Sequence, residues 1–127
     1  MKKIFALTFL IISTLFFSQE KRPVLDIMLT NYDYPYPVHF LNFKSQNQDL
    51  KMAYMDIKPE KTIGKTVVLL HGKNFNGAYW KTTIQALTKE GFRVIVPDQI
   101  GFGKSSKPTE YQFSFQQLAQ NTKAILD

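Results

Sequence analysis

One run, TVVLL at residues 66–70, constrains this chain more than any other segment. It is short, β-branched and apolar on both faces, which suits a strand buried on both sides of a parallel sheet. A second strand follows at FRVIV, residues 92–96, stopped by Pro97. Between them Ala78–Glu90 sets Trp80, Ile84 and Leu87 at i, i+4 and i+7, one apolar face of a helix. Gly91 comes where a helix end needs a residue tolerant of positive φ. SFQQ then opens a second helix as a capping box, Ser114 as N-cap and Gln117 reaching back. Its expected inward face is Phe115, Leu118, Ala119, Thr122, Ile125 and Leu126. Residues 66–127 therefore spell strand–helix–strand–helix, an α/β pattern that predicts a mostly parallel sheet.

Upstream, Val38–Phe43 and Leu50–Ile57 flank the polar turn KSQNQD and predict a β-hairpin. Residues 19–37 hold Pro23, Pro35 and Pro37 and predict an extended lead-in. The last helix still runs at Asp127 with its apolar stripe intact, and two strands plus a hairpin make a thin sheet with an exposed edge. The expectation is that residues 38–127 are the N-terminal part of a larger, truncated domain.

Residues 1–18 have a different character. Lys2 and Lys3 precede an apolar run from Ile4 to Phe17, interrupted by Thr8, Ser13 and Thr14. A charged start and so short an apolar core predict a secretory signal peptide, because a spanning helix needs ~20 apolar residues. Cleavage is expected after Ser18, giving an exported protein, periplasmic or secreted, with no stable membrane anchor. Without Lys2 and Lys3 the sixteen basic residues become fourteen against ten acidic ones, a net +4. These charges are scattered, with one basic pair at Lys21-Arg22, which argues against a nucleic-acid partner. The chain has no cysteine, so disulfides, thiolate catalysis and Cys-ligated zinc are excluded.

In an open α/β sheet, ligands bind beyond the carboxyl ends of the strands. Two loops lie there, HGKNFNG and DQIGFGKSS. The second is not a Walker A phosphate loop. It puts Asp98 where that motif needs its first glycine, and a carboxylate there would repel phosphate. Gly101 and Gly103 instead permit a wide turn in which Asp98 caps neighbouring amides. In the first loop His71 is a general base or metal ligand in principle. Its companion His39 sits on the first strand, and no carboxylate falls at ligand spacing, so no metal site is expected. Otherwise the His71 ring ties down loop backbone, while Gly72 lets the chain turn and direct consecutive N–H groups into the crevice.

The segment VVLLHG, with Trp80 nine residues after His71, and the segment VIVPDQIGFGKSSKP, which fits D-x-x-G-x-G-x-S, occur in the order hairpin, strand, helix, strand, helix. From about Val38 to Asp127 the chain resembles the N-terminal part of an α/β-hydrolase, the superfamily of esterases, lipases, haloalkane dehalogenases, epoxide hydrolases and carbon–carbon bond hydrolases. The resemblance implies that Lys73 donates one oxyanion-hole N–H, with Asn74 the second candidate. It offers Phe75 and Trp80 as pocket lining, although Trp80 also suits a helix anchor on the sheet. It implies a small-molecule substrate and no cofactor, and leaves the oligomeric state open.

The family's nucleophile sits on a G-x-S-x-G elbow, followed by acid and histidine. No such elbow occurs here: GKSSK at 103–107 has one glycine and lies in the wrong loop. His39 and His71 both precede the place of the nucleophile. The chain alone is therefore expected to be an inactive piece of an exported hydrolase. The other reading is a small, non-catalytic exported α/β binding module.

Overall fold

The computed structural model describes residues 24–127. The expected signal peptide, residues 1–18, lies outside them.

Strands β1 (Val38–Ser45) and β2 (Gln48–Ile57) form the hairpin, in register from Val38↔Met55 to Ser45↔Gln48. Its turn is shorter than the expected six residues. Only Gln46 and Asn47 are unpaired, with φ of 50° and 58°. Two consecutive residues in the left-handed region match the twist of the flanking strands. Asn tolerates that conformation. Gln46 is held in it by a clasp, its Nε2 donating to the Gln112 carbonyl (3.0 Å) and its Oε1 accepting from the Gln112 N–H (2.9 Å).

Strands β3 (Thr66–Val68) and β4 (Arg93–Pro97) complete a four-stranded sheet in the order β1-β2-β4-β3. The β3–β4 pair is parallel, but β2 joins both β1 and β4 antiparallel. The sheet is mixed rather than mostly parallel, because the hairpin contributes two of its three pairings. Strand β4, not β3, is buried throughout from Val94 to Pro97. Strand β3 is three residues long and forms the sheet edge among the described residues, with Val67 and Val68 half-buried and Leu70 51% exposed. Its expected burial on both sides fails because no described strand covers its outer edge.

The core has two parts. Met55, Val94 and Val96 pack with Ile84 on one side, while Leu50 and Met52 pack with Ile100 and Tyr111. Leu50 and Met52 are an odd number of residues from Met55, so strand alternation sends them to the opposite face. Helix α1 (Lys81–Lys89) supplies Ile84 to the first cluster, and α2 (Phe115–Leu126) brings Ile125 against the second.

A 3-10 turn, Gly77–Trp80, precedes α1, where continuous α-helix was expected from Ala78. The Asn76 side chain accepts from the Ala78 N–H (3.0 Å) and Gly77 N–H is drawn onto Asp98, so the first turn winds tighter. Gly91 closes α1 at φ 88° in a Schellman pattern, with Gly91 N–H on the Thr88 carbonyl and Phe92 N–H on that of Leu87 (3.1 Å each).

Helix α2 is capped by Ser114, whose Oγ accepts from the Gln117 N–H at 3.1 Å. The expected reciprocal bond is not formed, because the Gln117 side chain donates to Asn121 Oδ1 (3.0 Å) instead. The inward face is also rotated from the expected one. Asn121 is buried, while Phe115 is 88% exposed and Ala119 and Leu126 are exposed. Asn121 Nδ2 donates to the Tyr111 hydroxyl (3.1 Å), which also bonds Ser45 Oγ (3.1 Å), and this buried polar link overrides the apolar stripe.

The lead-in is turned, not extended, over residues 26–31. Asp26 Oδ1 accepts from the Met28 and Thr30 N–H groups (2.8 and 3.1 Å), and Oδ2 accepts from the Thr30 hydroxyl and Asn31 N–H (2.5 and 3.2 Å).

Candidate active site

Both loops of interest leave the carboxyl ends of neighbouring parallel strands. The last ladder bond runs from Leu69 N–H to the Ile95 carbonyl (2.9 Å). His71 then reaches across to the other loop, where the Gln99 N–H lies 2.9 Å from Nε2. A backbone N–H can only donate, so Nε2 is an acceptor and the ring proton of neutral His71 sits on Nδ1. Nδ1 is 2.9 Å from the Gly72 carbonyl and donates to it. Both ring nitrogens are thereby used to join backbone to backbone. The ring also meets Phe102 edge-on at 5.5 Å.

The Gly72 carbonyl accepts a second bond, from the Phe75 N–H at 3.2 Å, which folds Gly72–Phe75 into a tight turn. Lys73 and Asn74 are its central residues, both exposed, with Asn74 at φ 68°. Among the described residues neither of their backbone N–H groups has an acceptor.

Asp98 governs the second loop. It is 1% exposed, and three donors converge on it: Gly77 N–H on Oδ1 (2.6 Å), with Lys104 N–H (2.8 Å) and the Tyr34 hydroxyl (2.5 Å) on Oδ2. Burial, then the Asp98 carboxylate, push the Tyr34 phenol above its ordinary range, so it remains a donor. Gly101 and Gly103 take φ of 95° and 52°. A Cβ on Gly103 would lie 2.0 Å from Asp98 Oδ2, so the turn wraps the carboxylate too closely for any side chain. The loop then returns along β2. Ser105 Oγ accepts from Ala53 N–H (2.8 Å) and donates to the Asp98 carbonyl (2.6 Å), and Ser106 bonds Lys51 through Oγ and backbone (2.9 Å each). Lys107 donates to the Gly103 and Ser105 carbonyls (2.6 and 3.1 Å), and burial lowers its ammonium below the usual lysine range.

Between the loops and α2 lies a crevice of about 680 Å³, bordered by His71, Gly72 and Lys73 on one side and by Gln99, Phe102, Phe113, Phe115 and Leu118 on the other. Neither Phe75 nor Trp80 lines it: Phe75 departs from the expected pocket lining, while Trp80 takes its other expected role, an anchor on the sheet. Phe75, 58% exposed, packs its ring on Tyr79 (5.2 Å), while Trp80 packs against the Met55–Ile84–Val94–Val96 cluster. Phe102 and Phe113 supply the aromatic lining of the crevice instead. Gln99, Phe102, Phe113 and Tyr34 were not singled out by the sequence. A polar residue directly after the Pro97-Asp98 strand end was the available signal for Gln99. Tyr34 had none.

Among the described residues no three His, Cys, Asp or Glu side chains are grouped to hold a metal ion. His39 sits on β1 with its ring against Tyr54 (5.6 Å). No described helix is long and apolar enough to cross a membrane.

A sequence profile described as alpha/beta hydrolase fold matches residues 65–127, the stretch that carries both loops. A probable hydrolytic enzyme from Pseudomonas aeruginosa PAO1 superposes with a TM-score of 0.80 at 56% identity, over 82% of this chain and 33% of its own. The chain belongs to the α/β-hydrolase superfamily. Its mixed sheet and two helices are consistent with the N-terminal part of that α/β-hydrolase fold. A haloalkane dehalogenase from Mycolicibacterium paratuberculosis is 40% identical over 86 residues, 66% of this chain and 28% of the relative. The tetrameric haloalkane dehalogenase of Paraglaciecola agarilytica NO2 matches with a TM-score of 0.64 at 28% identity, over 73% of this chain and 31% of that one. This α/β-hydrolase chain thus spans about a third or less of the length of these relatives.

Proposed function

We propose that this chain supplies the oxyanion-hole side of an exported hydrolase, which cleaves an ester or related bond through a covalent intermediate. The observation that carries the reading is the turn at Lys73 and Asn74. Among the described residues its two N–H groups lack acceptors, and through Gly72 and Lys73 it borders an apolar crevice at the carboxyl ends of β3 and β4. When a nucleophile attacks a carbonyl or similar centre, negative charge develops on oxygen, and a preoriented N–H donor stabilises it by about 3 kcal/mol. The donors belong to the backbone, so the Lys73 side chain is not required for them.

His71 does not serve as the base of this reaction, because Gln99 N–H occupies its Nε2. With no G-x-S-x-G in the sequence, the nucleophile, acid and histidine must come from residues outside these 127. Purified alone, the chain is expected to hydrolyse p-nitrophenyl acetate no faster than buffer, and robust turnover would overturn the proposal. Reading the source DNA past the Asp127 codon tests it from the other side. A frame encoding G-x-S-x-G supports ester chemistry, and G-x-D-x-G supports the carbon–halogen chemistry named for the dehalogenase relatives. A verified stop there favours the non-catalytic binding module, which the crevice would also serve.

Export rests on the Lys2-Lys3 start and the apolar run to Phe17. The mature protein is expected to begin at Gln19, as read by intact mass. Recovery of the uncut chain from the cytoplasm would sink this part.

A further inference from the structure

We propose that the cleft between the lead-in and the hairpin is a second small-molecule site, which takes a single-ring aromatic anion of the benzoate class. It shares no bordering residue with the crevice, and the binding step is independent of any hydrolase chemistry.

Alternation along β1 puts Val38, Phe40 and Asn42 on one face, and the pairing of Asn42 with Lys51 brings Lys51 of β2 to the same side. The lead-in lies against this face, where Tyr34, Tyr36 and Val38 pack on the Met55 cluster. Between lead-in and hairpin a cleft of about 340 Å³ stays open, at the lower end of the range of small-molecule sites. Two of its aromatic walls are accessible, Tyr32 being 38% exposed and Phe40 46%. The Tyr34 ring is held in place, edge-on to Tyr32 (6.0 Å) and with its hydroxyl on Asp98.

Charge specifies the ligand further. Lys51 Nζ stands 4.7 Å from the centre of the Phe40 ring and Lys104 Nζ 5.1 Å from that of Tyr34, so the chain's own ammoniums already hold the cation positions over these rings. A cationic guest would meet like charge there, and an anion meets opposite charge. Lys104 is anchored by its bond to the Leu29 carbonyl (2.5 Å). Lys51 is exposed, and its ammonium has no acceptor among the described residues, so its flexible stem can carry it onto a carboxylate. Asp33 is the one carboxylate among the bordering residues, so the balance stays positive. An aromatic guest gains edge-on or offset ring contacts with Tyr32 and Phe40 that a saturated ring of like size does not.

Benzoate against benzyl alcohol isolates the charge, and benzoate against cyclohexanecarboxylate isolates the aromatic ring. Titrated into the full chain at low salt and followed by 1H–15N NMR, benzoate is expected to bind about fivefold tighter than benzyl alcohol and about threefold tighter than cyclohexanecarboxylate. The shifted amides should be those of Tyr32, Phe40 and Lys51, not those of Gly72 and Phe113 at the crevice. High salt should shrink the advantage over the alcohol. Lys51→Gln should remove most of that advantage, and Phe40→Leu most of the advantage over the saturated acid. Both side chains are exposed, so neither change removes core packing. Equal binding of benzoate and either comparison compound, preferences unchanged in the two variants, shifts centred on Gly72 and Phe113, or no saturable binding would each overturn the proposal.

Discussion

The hydroxyl of Tyr34 donates to Asp98 Oδ2 at 2.5 Å across a sequence separation of 64 residues. This bond ties the lead-in to the loop that positions Gln99 and, through it, His71. Tyr34→Phe keeps the ring and removes the donor, leaving Oδ2 with the Lys104 N–H alone among the described residues. The expected loss is on the order of 1–3 kcal/mol in urea unfolding, with faster hydrogen exchange at Gly77 and Lys104. Unchanged exchange at those two amides would show that the tie is dispensable.

Gly103 and Gly64 separate two kinds of glycine. Both hold positive φ, but a Cβ on Gly64 meets nothing within 4 Å while one on Gly103 meets the Asp98 carboxylate at 2.0 Å. Gly64→Ala should cost about 1 kcal/mol, the penalty of the left-handed conformation alone. Gly103→Ala should cost about 3 kcal/mol or more, because the loop must move off Asp98. Equal losses in chemical denaturation would contradict the close approach.

Ser105 is fully buried with its single hydroxyl both donating and accepting. Replacing it by alanine strands the Ala53 N–H and the Asp98 carbonyl, at a cost of about 2–3 kcal/mol. Ser106→Ala, at a half-exposed position that keeps its backbone bonds to Lys51 and Gly101, should cost less than about 1 kcal/mol. The ranking, read from thermal or urea midpoints, is the test.

Asp26 carries the clearest pH signature. Its hydrogen bonds, that from the Thr30 side chain foremost, lower its pKa from 3.8 to about 2. A group depressed in the folded state stabilises above its unfolded pKa and loses that contribution as pH falls through the folded value. The 26–31 turn should therefore be intact above about pH 4 and loosen progressively toward pH 2. Carboxyl 13C shifts of Asp26, with the Met28 and Thr30 amides, report it. A midpoint near 4 would mean the turn does not form.

His71 gives a direct spectroscopic check. Long-range 1H–15N correlation of its neutral ring should show the proton on Nδ1 and a bare Nε2. The opposite tautomer would break the link to Gln99 and detach the two loops from each other.

The sequence made the strand–helix–strand–helix order legible because β-branched runs and helical spacing are local signals. The roles open to His71 and Asp98 were legible too, since a histidine at a sharp corner and an aspartate after a strand each have few backbone partners. What stayed hidden depends on distant contacts. Nothing near Tyr34 marks its bond to Asp98. The inward turn of Asn121 follows from Tyr111 and Ser45, whose proximity only the folded hairpin creates. Gln99 looked like one more loop polar residue until Thr122 fixed its amide. Strand β3 looked central because its composition is apolar, yet its surroundings depend on which strands lie beside it.

The two-residue turn at Gln46-Asn47 also has a consequence for the order of assembly. A hairpin so tightly joined can zip within about 1–10 μs, before any long loop has closed. Strand β2 then offers a preformed template on which β4 can pair, and only afterwards can β3 add through the crossover from the far side. The half of the sheet synthesised first is thus finished first, and the corner at His71 acquires its shape last. Pulsed hydrogen exchange should find amides of Leu41 to Ala53 protected ahead of the Leu69 N–H, and the reverse order would place the folding nucleus at the parallel pair instead.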